Sequence, residues 1–275
     1  MLHRKLYAQA ITGMLSVAML FMALPTGAAF AAAPVGESHP AESQPGGELS
    51  ALIDSWTAAT PSNGIDQPTA QADPSLAIYL TFDDGPDPKW TPQVLSLLDQ
   101  YHAKATFYMI GRNAYSFPEL VLQLAESGQF LGNHSFNHAD LSTLSYGSFY
   151  AEVADTTDTI RSALAGHAEL AGQVTPCLRP PYGAVGGSFY DYTFRMNYAV
   201  SMWQIDTLDW AGTEPEEILS SVVDNLQPFK VVLMHDGGEK RANTIAGLHL
   251  VLHELTMRGY QFLPYCTANG QAYNP

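Results

Sequence analysis

Basic residues are scarce in this chain. It has 12 Lys and Arg against 27 Asp and Glu, a formal net charge of −15 over 275 residues. Nucleic acid and anionic membranes repel such a chain, so both are excluded as partners. A neutral glycan meets no such penalty. Cysteine is nearly absent, with Cys177 and Cys266 making the whole count of 2. Neither lies near the N-terminus, so lipid attachment there is excluded. No Gly-x-Ser-x-Gly occurs, which removes the nucleophile elbow of a serine hydrolase. No internal repeat is present. The apolar run Ile11–Leu24 is short for a bilayer span of roughly 20 residues, and Pro25 and Gly27 break it.

What is present begins with a leader. His3, Arg4 and Lys5 precede the apolar run, and Ala29-Phe30-Ala31 fits a small-x-small cleavage site, with Ala31-Ala32-Ala33 as a second. Residues 1–31 therefore read as a signal peptide rather than a retained anchor, and the chain as secreted or cell-wall associated with no stable membrane insertion after cleavage. Residues 32–75, rich in Pro, Gly, Ser, Ala and Gln, read as a flexible linker, possible site of a short helix at Glu48–Ala58. Residues 76–275 are one domain's worth. There, short apolar runs (Ala77–Phe82, Ala105–Ile110, Phe130–Gly132, Tyr198–Met202, Lys230–Met234, Tyr260–Leu263) alternate with helical patterns (Glu119–Ser127, Ser148–Leu164, Pro215–Leu226, Thr244–Met257). This α/β alternation implies parallel strands with helices outside, as a barrel or an open sheet.

Chemistry in such folds belongs at the C-terminal ends of strands. Just past the apolar runs come Asp83 and Asp84, then His134 and His138, Arg179 and Tyr182, Asp206 and Asp209, and His235. All fall on one expected rim. Asp83 and Asp84 are adjacent carboxylates that repel and lose hydration, a costly arrangement unless a metal or a proton in transit needs it. Asp-Asp-Gly-Pro alone would also make a turn. His134-Ser-Phe-Asn-His138 spaces two imidazoles four apart, so one helical turn would point both rings the same way. Two imidazoles and a carboxylate form a catalytic zinc set.

Five segments in order then resemble the motifs of the NodB-type polysaccharide deacetylases, carbohydrate esterase family four. They are Thr81-Phe82-Asp83-Asp84-Gly85, His134-Ser135-x-x-His138, Arg179-Pro180-Pro181-Tyr182-Gly183, Asp206-Thr207-Leu208-Asp209-Trp210 and Leu233-Met234-His235. The resemblance covers roughly residues 76–266 and implies a distorted (β/α) barrel of the NodB type as a single catalytic domain. It implies Asp84, His134 and His138 as ligands of a divalent metal, Zn²⁺ first, with Co²⁺ or Ni²⁺ fitting the same ligands. Asp83 would be the base and His235 the acid, with Asp209 its partner. Arg179 would hold Asp83 or Asp209. The backbone N–H of Tyr182 would face the oxyanion, and Trp210 and Leu233 would pocket the acetyl methyl. The implied reaction is N-deacetylation of an N-acetylated polysaccharide or oligosaccharide, peptidoglycan or chitin-like, by a monomer. Acetyl xylan O-esterase and a glycan-binding protein without activity are the alternatives. Asp206 reads as a loop hydrogen-bonder for Asp209, and His249 and His253 as a packing or solvent face. Cys177 and Cys266 could pair in an oxidising compartment, or Cys177 could simply be buried.

Overall fold

The computed structural model describes residues 76–267 and Gly270. The expected signal peptide and linker, residues 1–75, lie outside the described residues. Among the described residues no helix is long and apolar enough to cross a membrane.

Eight strands form one parallel sheet: β1 (Ala77–Asp83), β2 (Ala105–Met109), β3 (Phe130–Asn133), β4 (Val174–Leu178), β5 (Ala199–Val200), β6 (Ile205–Asp206), β7 (Lys230–His235) and β8 (Gln261–Phe262). Their spatial order is β5-β4-β3-β2-β1-β7-β6, with β8 paired to the first two residues of β1. The two ends of that path, β5 and β6, are consecutive in sequence and joined only by residues 201–204. The sheet must therefore curl, giving the expected distorted barrel as an open, half-closed form. Among the described residues seven α-helices cover it: α1 (Thr91–Gln100), α2 (Gly111–Ser116), α3 (Pro118–Glu126), α4 (Tyr146–Ala163), α5 (Phe189–Arg195), α6 (Pro215–Asp224) and α7 (Ala242–Met257).

β1 is the axis of the domain. It is buried along its whole length, because β2 and β7 flank it and helices cover its face. Ile78, Leu80 and Phe82 enter the main core with Val94 and Leu98 of α1 and Leu248, Val251 and Leu252 of α7. Each fully buried side chain of this kind contributes ~1.5–3 kcal/mol. A strand buried on both faces reads as a continuous apolar run, which is why Ala77–Phe82 is legible in sequence.

Several elements depart from the periodicity reading, α1, α2, α5 and β4 among them. α1 carries Val94, Leu97 and Leu98 at helical spacing but opens on Thr91-Pro92, directly after the turn residues that follow β1. β4 contains Pro176, and its pairing with β3 shifts register between Leu131 and Asn133, so neither alternation nor a clean apolar run marks it. The expected strand Tyr198–Met202 shrinks to Ala199–Val200.

Candidate active site and metal centre

Sheet register assembles the site. Asp83 ends β1 and is the direct partner of His235 on β7, as Asp206 on β6 is of Leu233. Asn133 ends β3, so His134 and His138 follow on the loop beyond. Arg179 follows β4. These groups line one cleft of about 400 Å³, shared by Asp83, Asp84, His134, His138, Tyr182, Asp206, Trp210, Leu233 and His235. Arg179 and Asp209 sit directly behind it, at 0% and 1% exposure.

One expectation needs correction. His134 and His138 are not on a helical turn but on a loop, with Ser135 and His138 in the left-handed region at φ 62° and 59°. The loop is held by Asn133 and Glu152: Ser135 N–H donates to Asn133 Oδ1, and Phe136 and Asn137 N–H donate to Glu152 Oε2. The rings still converge, with centroids 5.0 Å apart. Of the eight non-glycine residues with positive φ among the described residues, five lie in the motif loops: Asp84, Ser135, His138, Tyr182 and Leu208. Such backbone persists only where surrounding contacts over-determine it, and its concentration here marks the loops as functional.

The donor set tests itself against a cation. His134 Nδ1 lies 2.8 Å from the carbonyl of Arg179, which can only accept, so Nδ1 carries the proton. Burial drives the His134 pKa down to about 3, although Asp84 opposes the shift, so the ring is neutral and its Nε2 is a bare lone pair. That lone pair faces Asp84 Oδ1 at 3.6 Å and Asp83 Oδ2 at 3.7 Å. The same carboxylate faces His138. Burial lowers its pKa, the Tyr182 hydroxyl lies 3.1 Å from its Nδ1, and its Nε2 is 3.4 Å from Asp84 Oδ1. Asp84 Oδ1 is buried without a hydrogen-bond partner. Potential ligand atoms of Asp84, His134 and His138 thus lie within 4.8 Å of one another, with Asp84 Oδ1 hydrogen-bonded to none of them. Repelling lone pairs become ligands when a cation sits between them, so the residues fit a divalent metal.

On one flank, Arg179 Nη1 donates to Asp83 Oδ1 at 2.8 Å and to Thr81 Oγ1 at 2.8 Å. Its guanidinium carbon lies 4.2 Å from the Tyr108 ring centre and 5.6 Å from that of Trp203. Of the two carboxylates considered for Arg179, it holds Asp83. Burial raises the Asp83 pKa, and Arg179 only partly counters it. On the other flank, His235 Nδ1 meets Asp209 Oδ1 at 2.8 Å, while His235 N–H and Thr244 Oγ1 donate to Asp209 Oδ2, each at 2.9 Å. Burial alone would lower His235, but Asp209 outweighs it and raises the pKa. Burial alone would raise Asp209, but its bonds from His235 and Thr244 outweigh it and lower the pKa. Asp206 Oδ1 accepts from Leu208 N–H at 2.9 Å, a loop brace as expected, and also lines the cleft. Tyr182 is left-handed at φ 61°, and among the described residues its N–H meets no acceptor.

Sequence reasoning missed several parts. Trp203 and Pro180 line the cleft. Trp203 follows the expected strand Tyr198–Met202 and carries no motif of its own. Thr244 and Thr207 complete the Asp209 shell. Asp236 is fully buried behind the motif-one turn, where burial pushes its pKa up to about 7. Its position directly after His235 was the available signal. His249 packs edge-on to Tyr101, away from the cleft. Cys177 and Cys266 are paired, with Cα atoms 6.4 Å apart, so the open question of their state resolves to a disulfide.

The chain matches the polysaccharide deacetylase family model over residues 70–201. It is 38% identical over 189 residues to a peptidoglycan-N-acetylglucosamine deacetylase of Bacillus cereus, covering 68% of this chain and 84% of that protein. It is 34% identical over 200 residues to a chitooligosaccharide deacetylase of Bradyrhizobium sp., covering 68% of this chain and 88% of that one. The solved structure of peptidoglycan deacetylase PdaC from Bacillus subtilis superimposes with a TM-score of 0.62 at 30% identity, over 70% of this chain and 89% of that chain. With its curled parallel sheet and its five motifs in order, the chain belongs to the polysaccharide deacetylase family of NodB type.

Proposed function

We propose that this protein is a secreted, metal-dependent hydrolase that removes N-acetyl groups from an N-acetylglucosamine-type polysaccharide, peptidoglycan or chitin-like. The observation that carries the reading is the convergence of Asp84, His134 and His138 acceptors on one point, with Asp83 beside them. Its relatives' activities on peptidoglycan and chitooligosaccharides support the substrate class. The leader and linker support export, as a monomer, to the cell wall or beyond.

Asp84, His134 and His138 would hold the cation. Zinc suits two imidazoles and a carboxylate, and cobalt or nickel fits the same set. Bound there, it supplies a Lewis acid that lowers the pKa of a water towards roughly 7. Asp83 takes that water's proton on the oxygen that Arg179 leaves free. The water oxygen bonds to the acetamide carbon. The N–H of Tyr182 donates to the oxyanion, a contribution on the order of 3 kcal/mol. Trp210, Leu233 and Trp203 enclose the methyl. As the C–N bond breaks, His235 gives its Nε2 proton to the departing nitrogen, while Asp209 holds Nδ1–H. Acetate and a free amine result.

Acetate release from peptidoglycan, chitooligosaccharides and acetyl xylan tests this, with metal present and after complete chelation. Release from an N-acetylated glycan, lost on chelation and restored by zinc, is expected. Activity that survives complete chelation, or release from acetyl xylan alone, would overturn the proposal.

A further inference from the structure

The turn carrying Asp83 and Asp84 combines a left-handed residue with close backbone packing. Asp84 is left-handed at φ 74°, a region that few non-glycine residues occupy, although aspartate tolerates it better than most. Part of what holds it is visible. Asn113 Nδ2 donates to the Asp84 carbonyl at 2.7 Å, and Ile110 N–H to the Gly85 carbonyl at 3.0 Å. The rest comes from the segment after β7. Asp236 N–H donates to the Asp83 carbonyl at 3.1 Å. The Asp236 carboxyl lies flat against the α-carbon of Gly85, where an added Cβ would collide with both carboxyl oxygens. Gly237 lies equally close to Asp84, where an added Cβ would collide with the carbonyl. Both glycines exist because no side chain fits between these two segments.

Asp236 does not reach the cleft. It is 1% exposed, and none of its side-chain atoms lines the site. Its Oδ2 accepts from Thr91 Oγ1 at 2.5 Å, and the same hydroxyl accepts from Asp87 N–H at 2.8 Å. Its Oδ1 is buried with no partner. The carboxyl is therefore fixed from one side by the start of α1 and pressed on Gly85 from the other.

We infer that Asp236 is a positioning residue for the metal centre. Its carboxyl, braced by Thr91, holds the Gly85 backbone so that Asp84 stays left-handed with its carboxylate turned toward His134 and His138. The role is one of shape and a single accepted hydrogen bond. It rests on the reading of Asp84, His134 and His138 as metal ligands. Partners that orient ligands change metal affinity by about 10–100-fold when removed.

The test measures Zn²⁺ affinity of the full chain by competition with a chromophoric chelator, and the visible absorption of the Co²⁺-loaded protein, without recourse to activity. Asp236→Ala should weaken Zn²⁺ binding by about tenfold or more and alter the Co²⁺ spectrum. Asp236→Asn, which keeps the shape and an acceptor, should stay within about threefold of the parent. Thr91→Val should fall between them, and it keeps the proposal testable if Asp236→Ala fails to fold. Val222→Ala, in the core on α6, lowers thermal stability without touching this turn and should leave Zn²⁺ affinity unchanged. Parent-like affinity and spectrum in both Asp236→Ala and Thr91→Val would overturn the inference, as would a loss no larger than that of Val222→Ala. If the unsubstituted protein binds no Zn²⁺, it is the metal-site reading that fails.

Discussion

Asp83 and Asp209 are both buried carboxylates at the ends of the same sheet, each beside a basic side chain, yet their pKa values move in opposite directions. The difference lies in how many hydrogen bonds each receives. Asp209 takes bonds from His235 Nδ1, His235 N–H, Thr244 and Thr207, so its charge is fully solvated by protein. Asp83 takes one, from Arg179, and its second oxygen faces the cleft. A buried anion short of donors is one that gains by accepting a proton, whereas a saturated one gains by staying charged. The pair thus divides into an acceptor of protons and a fixed charge that tunes a neighbour.

The sharpest way to break this comparison is to neutralise each in turn. Asp83→Asn should lower kcat by about 10³-fold, within the range of a lost general base, while zinc content by metal analysis stays stoichiometric. Asp209→Asn should cost less, about 10²-fold, and should change the shape of the pH profile. As the proposed general acid His235 would work protonated, and Asp209 raises its pKa above the ordinary 6.5. Without the carboxylate, burial lowers that pKa, so the alkaline limb of kcat/KM moves to lower pH. A limb that stays in place would detach His235 from Asp209. If Asp209→Asn cost more than Asp83→Asn, the assignment of base and fixed charge would be reversed.

Stability gives a third contrast. His235 is raised from 6.5 and Asp209 lowered from 3.8, so their mutual stabilisation is complete between those values. It fades as pH rises through the raised His235 value, and as pH falls through the depressed Asp209 value. In thermal melts near pH 5–6, Asp209→Asn should lose about 2 kcal/mol, a loss that shrinks at alkaline pH. Asp83 is raised, so its charged form works against folding above 3.8. Asp83→Asn should therefore lose less at neutral pH than Asp209→Asn. The smallest effect is expected for Thr244→Val, which removes one of the donors to Asp209. It should stay within about threefold in kcat and shift the alkaline limb slightly toward acid. A full Asp209→Asn phenotype from Thr244→Val would mean that the hydroxyl, not the carboxylate network, sets the His235 pKa.

Much of this site is legible in the amino-acid sequence, because the residues that carry chemistry stand immediately after apolar runs. Asp83, His134 and His235 declare themselves this way, whereas Arg179 is legible only through its motif, because β4 before it is not a clean apolar run. What the runs cannot express is register. Asp83 and His235 are direct partners on neighbouring strands, a fact of hydrogen bonding between segments far apart in the chain. Thr244 reaches Asp209 from the first turn of a helix, and Asp236 reaches Gly85 from behind. No apolar run marks either, and only Asp236 stands beside a motif residue, His235. The histidine loop reads as a helical turn because four-residue spacing satisfies both, and the left-handed backbone at Ser135 and His138 leaves no trace in their identities. The disulfide stays open in sequence because pairing depends on a Cα separation, 6.4 Å, that only the fold supplies.

The register of β1 against β7 has a consequence for redesign. Adjacent strands are held about 4.8 Å apart by their backbone hydrogen bonds. The residues proposed to take and give the proton stand on those two strands, so their separation is a ruler built into the sheet and insensitive to side-chain choice nearby. The acyl group is proposed to meet a different set of cleft-lining side chains, those of Trp203, Trp210 and Leu233. Acceptance of larger acyl groups can therefore be re-engineered at the pocket walls while the gauge for proton transfer stays as the backbone set it.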